Sequence, residues 1–286
     1  MLRRIQITES LTTCEPSYDR IAKVYKEIAN CNEHAIELIV NVEKRLGLSF
    51  LFYISTFPYL AKSRGKNIVI MCNAKSIDLF RKFGSLSFKD EIKPYETDIA
   101  PLLMSKAKII NDPQDIFDLV TEITKNAPVK MDDHLAEIFI SRVGEIYNNS
   151  LEHSEADYVI GAKYFRNQKS IYCFSCYDTG VGIPQKVINT IAKRLSQKEA
   201  FLWALKRGNS TANQAMALPI PRGLGLDLLH SFAKANKGTI RICSGNIFYL
   251  YNTKNGSRIV ELKHSFPGTL YEMDIITDNE RKYIIK

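Results

Sequence analysis

The amino-acid sequence predicts an α/β (α+β) protein built from two domains. Its 286 residues exceed the length of a typical single domain. In both halves of the chain, apolar runs of strand length alternate with segments whose apolar residues recur at helical spacing. An irregular, polar segment with several prolines, residues 88–113, separates the two halves. We therefore expect one domain over residues 1–112 and a second over residues 113–286.

Composition and charge narrow the class of protein only in part. Hydrophobic residues make up 45% of the chain and charged residues 24%, which is typical of a globular protein. No apolar run approaches the roughly 20 residues that cross a bilayer, and no apolar leader follows the N-terminal arginines. We therefore expect a cytoplasmic protein without membrane contact. The formal net charge of +8 is spread along the chain, which favours a solvated basic surface over a nucleic-acid-binding face.

The first domain is expected to be a small α/β unit. Apolar runs at residues 35–42 and 66–72 predict buried strands, and residues 74–84 predict an amphipathic helix. A longer apolar stretch, residues 47–65, predicts a helix between the strands, which Pro58 should kink or shorten. The residues before this region show few clear signals. Strand, helix, strand and helix in this order indicate an α/β unit.

The second domain is expected to begin with two helices, which lead into strands joined by turns and glycine loops. The apolar residues of both helical segments recur at spacings of three and four. β-Branched and aromatic residues dominate the strand-like runs. The helices are expected over residues 112–125 and 131–153, and the strand-like runs cover residues 157–165, 169–178, 238–252, 258–264 and 268–276, with turn residues between the last three.

The six cysteines are scattered along the chain, which indicates reduced thiols and not a disulfide scaffold. Cys173 and Cys176 form a CxxC pair, a spacing that also occurs at metal and redox sites. Both lie in a predicted strand, and the sequence has no second Cys or His pair at ligand spacing. We therefore favour buried strand thiols over a metal site.

The second predicted helix carries a polar stripe. Glu145, Asn149 and His153 are spaced by four residues, so they share one helix face. A carboxylate and a carboxamide oxygen close together can organise a hard cation and a water molecule. An amphipathic helix with a solvated polar face would show the same pattern, so this segment leaves both interpretations open.

Two glycine loops follow. Asp178 ends a predicted strand and precedes Gly180 and Gly182, an arrangement that lets the backbone approach a flat ligand while the carboxylate accepts a hydrogen bond from an exocyclic amine. A tight turn with a solvated aspartate is the alternative. The second loop, residues 222–226, opens a predicted helix whose exposed N–H groups and dipole favour a phosphate. Glycines also begin many helices that bind nothing.

In this order the three segments resemble the motifs of the GHKL ATPases, the superfamily of gyrase, a heat-shock chaperone, histidine kinases and MutL. Residues 145–153 resemble its N-box, residues 178–184 its first glycine box and residues 222–226 its second. The resemblance covers residues 113–286 and is nearest to stand-alone histidine-kinase-like and anti-sigma-kinase-like domains. It implies an α/β sandwich, in which helices cover one face of a mixed sheet, and it implies binding of ATP with Mg²⁺.

The resemblance also implies roles for individual residues. Glu145 corresponds to the general base that orients the attacking water, Asn149 to the residue that binds Mg²⁺ bridging the phosphates, and His153 to a histidine found in related domains. Asp178 would bind the adenine amine, and Thr269 would lie near the adenine. Access to the ring is expected from Gly180 and Gly182, and the phosphates are expected to meet Arg222, Gly223, Leu224 and Gly225.

Part of the superfamily pattern varies among its members. The ATP lid would run over about residues 185–222, and its contacts with the γ-phosphate are expected from Lys206, Arg207, Ser210 and Thr211. The first domain resembles STAS domains in its pattern of strands and helices over residues 33–90. Ser49 falls near the phosphorylatable serine of such domains, but the aspartate and glycine that flank that serine are missing. A structural or docking role is therefore expected for this domain.

We expect a Mg²⁺-dependent ATP-binding protein, an ATPase or a protein kinase, that couples its nucleotide state to a protein partner. The alternative is an ATP-sensing interaction module without turnover, since the sequence does not distinguish slow hydrolysis from none. A nucleic-acid-linked machine is disfavoured because only a short tail follows Asp274, where gyrase and MutL have a transducer domain. Whether the chain forms a homodimer stays open.

Overall fold

The structure is a computed structural model in which two units are described separately. The N-terminal unit comprises residues 1–108 and 262–266, and the C-terminal unit comprises residues 109–261 and 267–286. Certain side chains within the described ranges, that of His153 among them, are outside the description. The described residues are 2–41, 47–62, 64–72, 92–94, 106–110, 112–125, 133–156, 158–166, 171–191, 194–206, 209, 230, 233–234 and 237–276.

A parallel sheet forms the centre of the N-terminal unit. Its strands lie in the order β1-β2-β3-β4, and each neighbouring pair is parallel. In β2 and β3, buried side chains alternate with more exposed ones, as expected when only one face of a strand is fully covered. The elements are β1 (Leu2–Ile7), α1 (Glu15–Asn30), β2 (Ala35–Val40), α2 (Leu48–Lys62), β3 (Asn67–Cys72) and β4 (Ile92–Pro94).

The strand β1 and the helix α1 occupy the N-terminal region, in which few sequence patterns predict secondary structure. Buried residues of α1 recur at helical spacing, with Tyr18, Ile21, Ala22 and Ile28 on its covered side. Lysines and glutamates stand between these residues, so the local composition is polar although the pattern is amphipathic. The periodicity of α1 was therefore a stronger indicator than its composition.

Of the two expected effects of Pro58, a kink or a shortening, the structure shows that the proline does not end the helix, because α2 continues past it to Lys62. A proline removes one backbone hydrogen bond, and the buried side chains of Phe57, Leu60 and Ala61 hold the last turn in place around it. Ser49, also on α2, is 1% exposed. The helix predicted over residues 74–84 lies outside the described residues.

The C-terminal unit contains a five-stranded sheet with the order β5-β6-β7-β9-β8, except for residues 106–108 of β5 and 262–266 of β9, which belong to the N-terminal unit. The pairs β6–β7 and β7–β9 are antiparallel. The elements are β5 (Lys106–Ile110), α3 (Pro113–Lys125), α4 (Asp133–His153), β6 (Val159–Arg166), β7 (Ile171–Asp178), α5 (Ile183–Thr190), α6 (Gln197–Leu205), β8 (Thr239–Asn252) and β9 (Gly256–Ile276).

Helices α3 and α4 pack against one face of this sheet. Phe139 of α4 meets Phe174 of β7 edge-to-face, with ring centroids 5.9 Å apart. Tyr147 is fully buried, and its hydroxyl donates to the carbonyl oxygen of Ser175 at 3.0 Å. Gly161 in β6 leaves room for the side chains of Leu119 and Tyr147. The long polar helix α4 is thereby fixed over the middle of the sheet.

The last two predicted strands form one strand, β9, where turn residues had been expected between them. Within β9, Gly268 follows Pro267 and has φ +71°. A single residue of positive φ distorts a strand locally without reversing its direction, so the Pro-Gly pair does not produce the expected turn.

The fold as a whole is mixed α/β, with one parallel sheet and one sheet that contains antiparallel pairs. The predicted fold class is confirmed at this level. Within the described ranges no helix has both the length and the apolar character needed to span a membrane.

Candidate functional site

The carboxyl group of Asp178 lies at the end of β7 and is only 3% exposed. Its Oδ1 accepts hydrogen bonds from the backbone N–H groups of Gly180, at 3.0 Å, and Thr269, at 3.2 Å. Its Oδ2 accepts from the hydroxyl of Ser150, at 3.2 Å. The glycine loop, β9 and α4 thus each contribute one donor to a single carboxyl group, although they are far apart in the sequence.

Burial raises the pKa of Asp178 to about 7, and the bonds from Gly180, Thr269 and Ser150 offset only part of this effect. A carboxyl with such a pKa changes charge near neutral pH. Its ionised form is an acceptor held in a dry environment, where a donor supplied by a ligand would be bound strongly. Asp178 therefore has the properties expected of a ligand-binding acid.

A row of three polar side chains crosses β7, β9 and β8. Asp178 lies opposite Thr269 in the β7–β9 register, and the Oγ1 atom of Thr269 is 2.9 Å from Oγ of Ser244 on β8. Thr269 is half-buried, and Ser244 is fully buried. The sequence analysis missed Ser244, because one serine in a strand of mostly apolar residues carries no local signal of such a contact.

The first glycine loop packs closely against its neighbours. A side chain at Gly180 would bring its Cβ within 2.0 Å of the carbonyl oxygen of Ser154, and the N–H of Val181 donates to that same oxygen. Gly182, with φ +84°, precedes α5. In this structure the space beside Gly180 is occupied by the end of α4, so the missing side chain serves the contact between loop and helix.

The polar stripe of α4 lies on the helix that also contacts Asp178. Ser150, which bonds to Asp178, directly follows Asn149, whose side chain is exposed. Glu145 lies one helical turn earlier and is half-buried. The backbone of His153 ends α4, but its side chain is outside the description. Glu145 and Asn149 are thus carried by the same helix that supplies Ser150 to the buried carboxyl.

The second glycine loop lies outside the described residues. This applies to Arg222, Gly223, Leu224 and Gly225, and to residues 192–193, 207–208 and 210–222 of the predicted lid. Of the side chains predicted to meet the γ-phosphate, only Lys206 is described, and it is exposed directly after α6. The described part of the candidate site is therefore the part around Asp178.

The CxxC pair is divided between the two faces of the sheet, because side chains three apart in a strand point in opposite directions. Cys176 belongs to the core under α4, and its Sγ lies 3.5 Å from Oγ of Ser150. Cys173 donates to Asp274, which also pairs with Arg241 at 2.6 Å. Both cysteines are buried strand thiols, as predicted. Among the described side chains, His, Cys, Asp and Glu form no group of three or more that could hold a metal ion.

A pocket of about 510 Å³ lies in the N-terminal unit, between the exposed side of α1 and the start of β1. It is lined by side chains of both charges, among them Arg3, Lys23, Lys26, Glu27 and Glu33. None of the predicted site residues lines it. Asp178 and its neighbours, and not this pocket, therefore form the candidate site.

No protein-family model matches the chain, and no curated protein matches it significantly.

Proposed function

We propose that the C-terminal unit is an ATP-binding domain of the GHKL type, and that the chain is a Mg²⁺-dependent ATPase or protein kinase of the histidine-kinase-like kind. The observation that carries this proposal is the enclosed carboxyl of Asp178, which accepts hydrogen bonds from Gly180, Thr269 and Ser150. The sequence motifs support it as well, since Ser150 lies in the segment that resembles the N-box and Gly180 in the segment that resembles the first glycine box.

Asp178 is the proposed recognition residue for the adenine amine. An amine donates hydrogen bonds and does not accept them in this role, and the ionised carboxylate only accepts. The pairing therefore places a donor against an acceptor in a site that water hardly reaches, where a hydrogen bond to a charged group is strong. Thr269 lies on the neighbouring strand, opposite Asp178, and is the proposed second contact with the ring.

The phosphate end of the ligand is assigned to α4. The exposed carboxamide of Asn149 offers an oxygen of the kind that Mg²⁺ prefers, and the nucleotide phosphates and water would complete the coordination. Mg²⁺ would offset phosphate charge during transfer. Glu145, one turn away on the same helix, is the proposed base that aligns the attacking water.

The N-terminal unit is the proposed docking unit for a protein partner in the cytoplasm. Its parallel sheet with intervening helices is compatible with the STAS-like pattern that the sequence suggested. In this proposal the nucleotide changes the conformation of the lid, and the chain transmits that change to its partner.

Binding of ATP and ADP, with and without Mg²⁺, tests the proposal directly by titration calorimetry on the wild type and Asp178→Asn. An asparagine can still accept from Gly180 and Thr269 and donate to Ser150, so the loop should keep its fold. The adenine amine would lose its charged acceptor, and we expect affinity to fall by about tenfold to a hundredfold.

A matched control is Asp118→Asn, which changes an exposed carboxylate on α3 in the same way. It should bind ATP as the wild type does. Absence of ATP binding by the wild type would overturn the proposed function. Equal affinity of the wild type and Asp178→Asn would remove Asp178 from the site.

A second candidate function is ATP sensing without turnover. It rests on the same proposed base-recognition residues, Asp178 and Thr269, which are in contact through the N–H of Thr269, and it requires no transfer of a phosphate. In that case ATP would order the lid and switch the protein interaction while remaining intact. Turnover by the wild type compared with a Glu145 variant separates the two candidates.

A further inference from the structure

Ser244 has three polar neighbours around one hydroxyl group. The backbone N–H of Ile183 donates to Oγ of Ser244 at 2.8 Å. The carbonyl oxygen of Gly268 lies 3.3 Å from the same atom, and Oγ1 of Thr269 lies 2.9 Å from it. Ser244 is 0% exposed, so its hydroxyl is closed off from bulk solvent.

Only one assignment of donors and acceptors makes every contact of the Ser244 hydroxyl a hydrogen bond. A serine hydroxyl has one proton to donate and two lone pairs that accept. The carbonyl of Gly268 can only accept, so the proton of Ser244 goes there, while one lone pair takes the N–H of Ile183. The remaining lone pair must accept the proton of Thr269. The hydroxyl of Thr269 has then used its only proton, and toward anything else it can only accept.

We propose that Ser244 is a positioning residue that sets the direction of the Thr269 hydroxyl and thereby makes the candidate site select an amine over a carbonyl on the ligand. This inference rests on the proposed function. Asp178 and Thr269 lie on adjacent strands, and both present only acceptors, so a purine with a 6-amino group pairs with them and a 6-oxo purine meets two oxygens. Ser244 itself touches no ligand and acts through Thr269.

Ser244 also supports the loop that carries the site. Gly182 has no side chain with which to cap α5, and the hydroxyl of Ser244 accepts the first N–H of that helix instead. Loss of this bond would loosen the loop and lower the affinity for every ligand alike. A change in selectivity between two ligands is therefore needed to separate the positioning role from the supporting one.

The test compares the dissociation constants of ATP and ITP, whose purine has oxygen in place of the 6-amino group, at pH 8, where Asp178 is ionised. In Ser244→Ala the Thr269 hydroxyl is free to turn and donate to that oxygen. We expect the preference for ATP over ITP to fall by about tenfold, the worth of one hydrogen bond. In a Thr269→Val background, Ser244→Ala should leave the preference unchanged, because the residue through which it acts is gone.

Two further variants keep the test decisive if Ser244→Ala folds poorly. Ser244→Cys keeps the size of the side chain, but its sulfur accepts weakly, so it should lower the preference in the same direction. Thr269→Ser keeps the hydroxyl and should retain the preference of the wild type. The inference is overturned if the Ser244 variants weaken ATP and ITP equally, or if they change the preference as much in the Thr269→Val background. Failure of the wild type to bind either nucleotide would instead overturn the proposed function.

Discussion

The carboxyl of Asp178 is the proposed ligand-binding group of the candidate site, and its burial lowers the stability of the folded protein. A buried carboxyl is more stable protonated than ionised, and burial raises the pKa of Asp178 from 3.8 to about 7. Between these pH values the folded protein holds a proton that the unfolded chain releases. The free energy of unfolding therefore decreases as the pH rises through this window, and the full penalty applies above it.

The first prediction is that Asp178→Asn becomes more stable relative to the wild type as the pH rises. An asparagine does not ionise, so it lacks the penalty that the wild type acquires at about 1.4 kcal/mol per pH unit. We expect the difference in the free energy of unfolding to change by about 2 kcal/mol in favour of the variant between pH 5 and pH 7. Urea denaturation at the two pH values, without nucleotide, measures it.

The control for this prediction is again Asp118→Asn, where the carboxylate is exposed and its charge is solvated. Its stability curve should follow that of the wild type. Parallel curves for Asp178→Asn and the wild type would show that Asp178 is not buried in the way that the structure describes.

The second prediction concerns Gly268, which has φ +71° and lies beside the end of β7. A Cβ there would stand 1.9 Å from the carbonyl oxygen of Asp178. Gly268→Ala should cost the strain of the left-handed conformation, about 1 kcal/mol, and a further 1 to 3 kcal/mol for the displaced backbone. Gly256, in the same strand, has φ +70° and open space around it. Gly256→Ala should show only the first cost in urea denaturation, and equal losses would contradict the contact.

At the scale of elements, α4 connects the core to the candidate site. One side of the helix packs on the sheet through Phe139, Val143 and Tyr147, while its C-terminal end delivers Ser150 to Asp178. Tight packing of α4 therefore fixes the position of a polar contact two turns away. We expect substitutions on the packed side of α4 to change the stability of the protein, and substitutions at its C-terminal end to change ligand affinity, because the two properties depend on different residues.

The third prediction uses two glycines that differ in their surroundings. Gly144 lies in α4 with open space around it, so Gly144→Ala should stabilise the protein by about 0.5 to 1 kcal/mol through helix propensity alone. Gly161 faces α3 and α4, and a Cβ there would approach Leu119 at 2.1 Å and Tyr147 at 3.0 Å. Gly161→Ala should lower stability by about 1 to 3 kcal/mol. Thermal unfolding measures both, and changes of the same sign would refute this packing.

Sequence patterns predicted the elements of the C-terminal unit better than those of the N-terminal unit. The strand β7 is rich in β-branched and aromatic residues, and α3 and α4 have clear apolar spacing, so each was predicted within a few residues. The helix α1 was missed because its polar residues conceal a regular apolar pattern. The continuity of β9 was missed because the Pro267–Gly268 pair usually marks a turn.

Some residues of the candidate site could be predicted from the sequence, and others could not. Asp178 and Gly180 belong to a short motif, so neighbouring letters were enough to select them. Ser150 and Ser244 contribute through the register of strands and the placement of α4, which bring together residues 28 and 25 positions distant from their partners. A single sequence does not contain that register, so these two contacts required the structure.

At the scale of the whole molecule, the net charge of +8 and the two-unit organisation are compatible with a basic protein that binds an anionic nucleotide. Charge alone does not distinguish an enzyme from a sensor, because both would attract the same ligand. The distinction rests on whether Glu145 changes the rate of a reaction or only the surroundings of a bound nucleotide.

The final prediction is that Glu145→Ala abolishes turnover and leaves ATP binding largely intact. A general base contributes to the transition state and little to the bound ground state, so we expect the rate of ATP hydrolysis or transfer to fall by at least about a hundredfold. ATP affinity should stay within about threefold of the wild type. The control Glu137→Ala removes an exposed carboxylate two turns earlier on α4 and should change neither quantity. Loss of binding in Glu145→Ala would assign Glu145 to the architecture of the site. Equal turnover in the wild type and the variant would remove Glu145 as the base. Absence of turnover in both proteins, with ATP still bound, would favour the sensor.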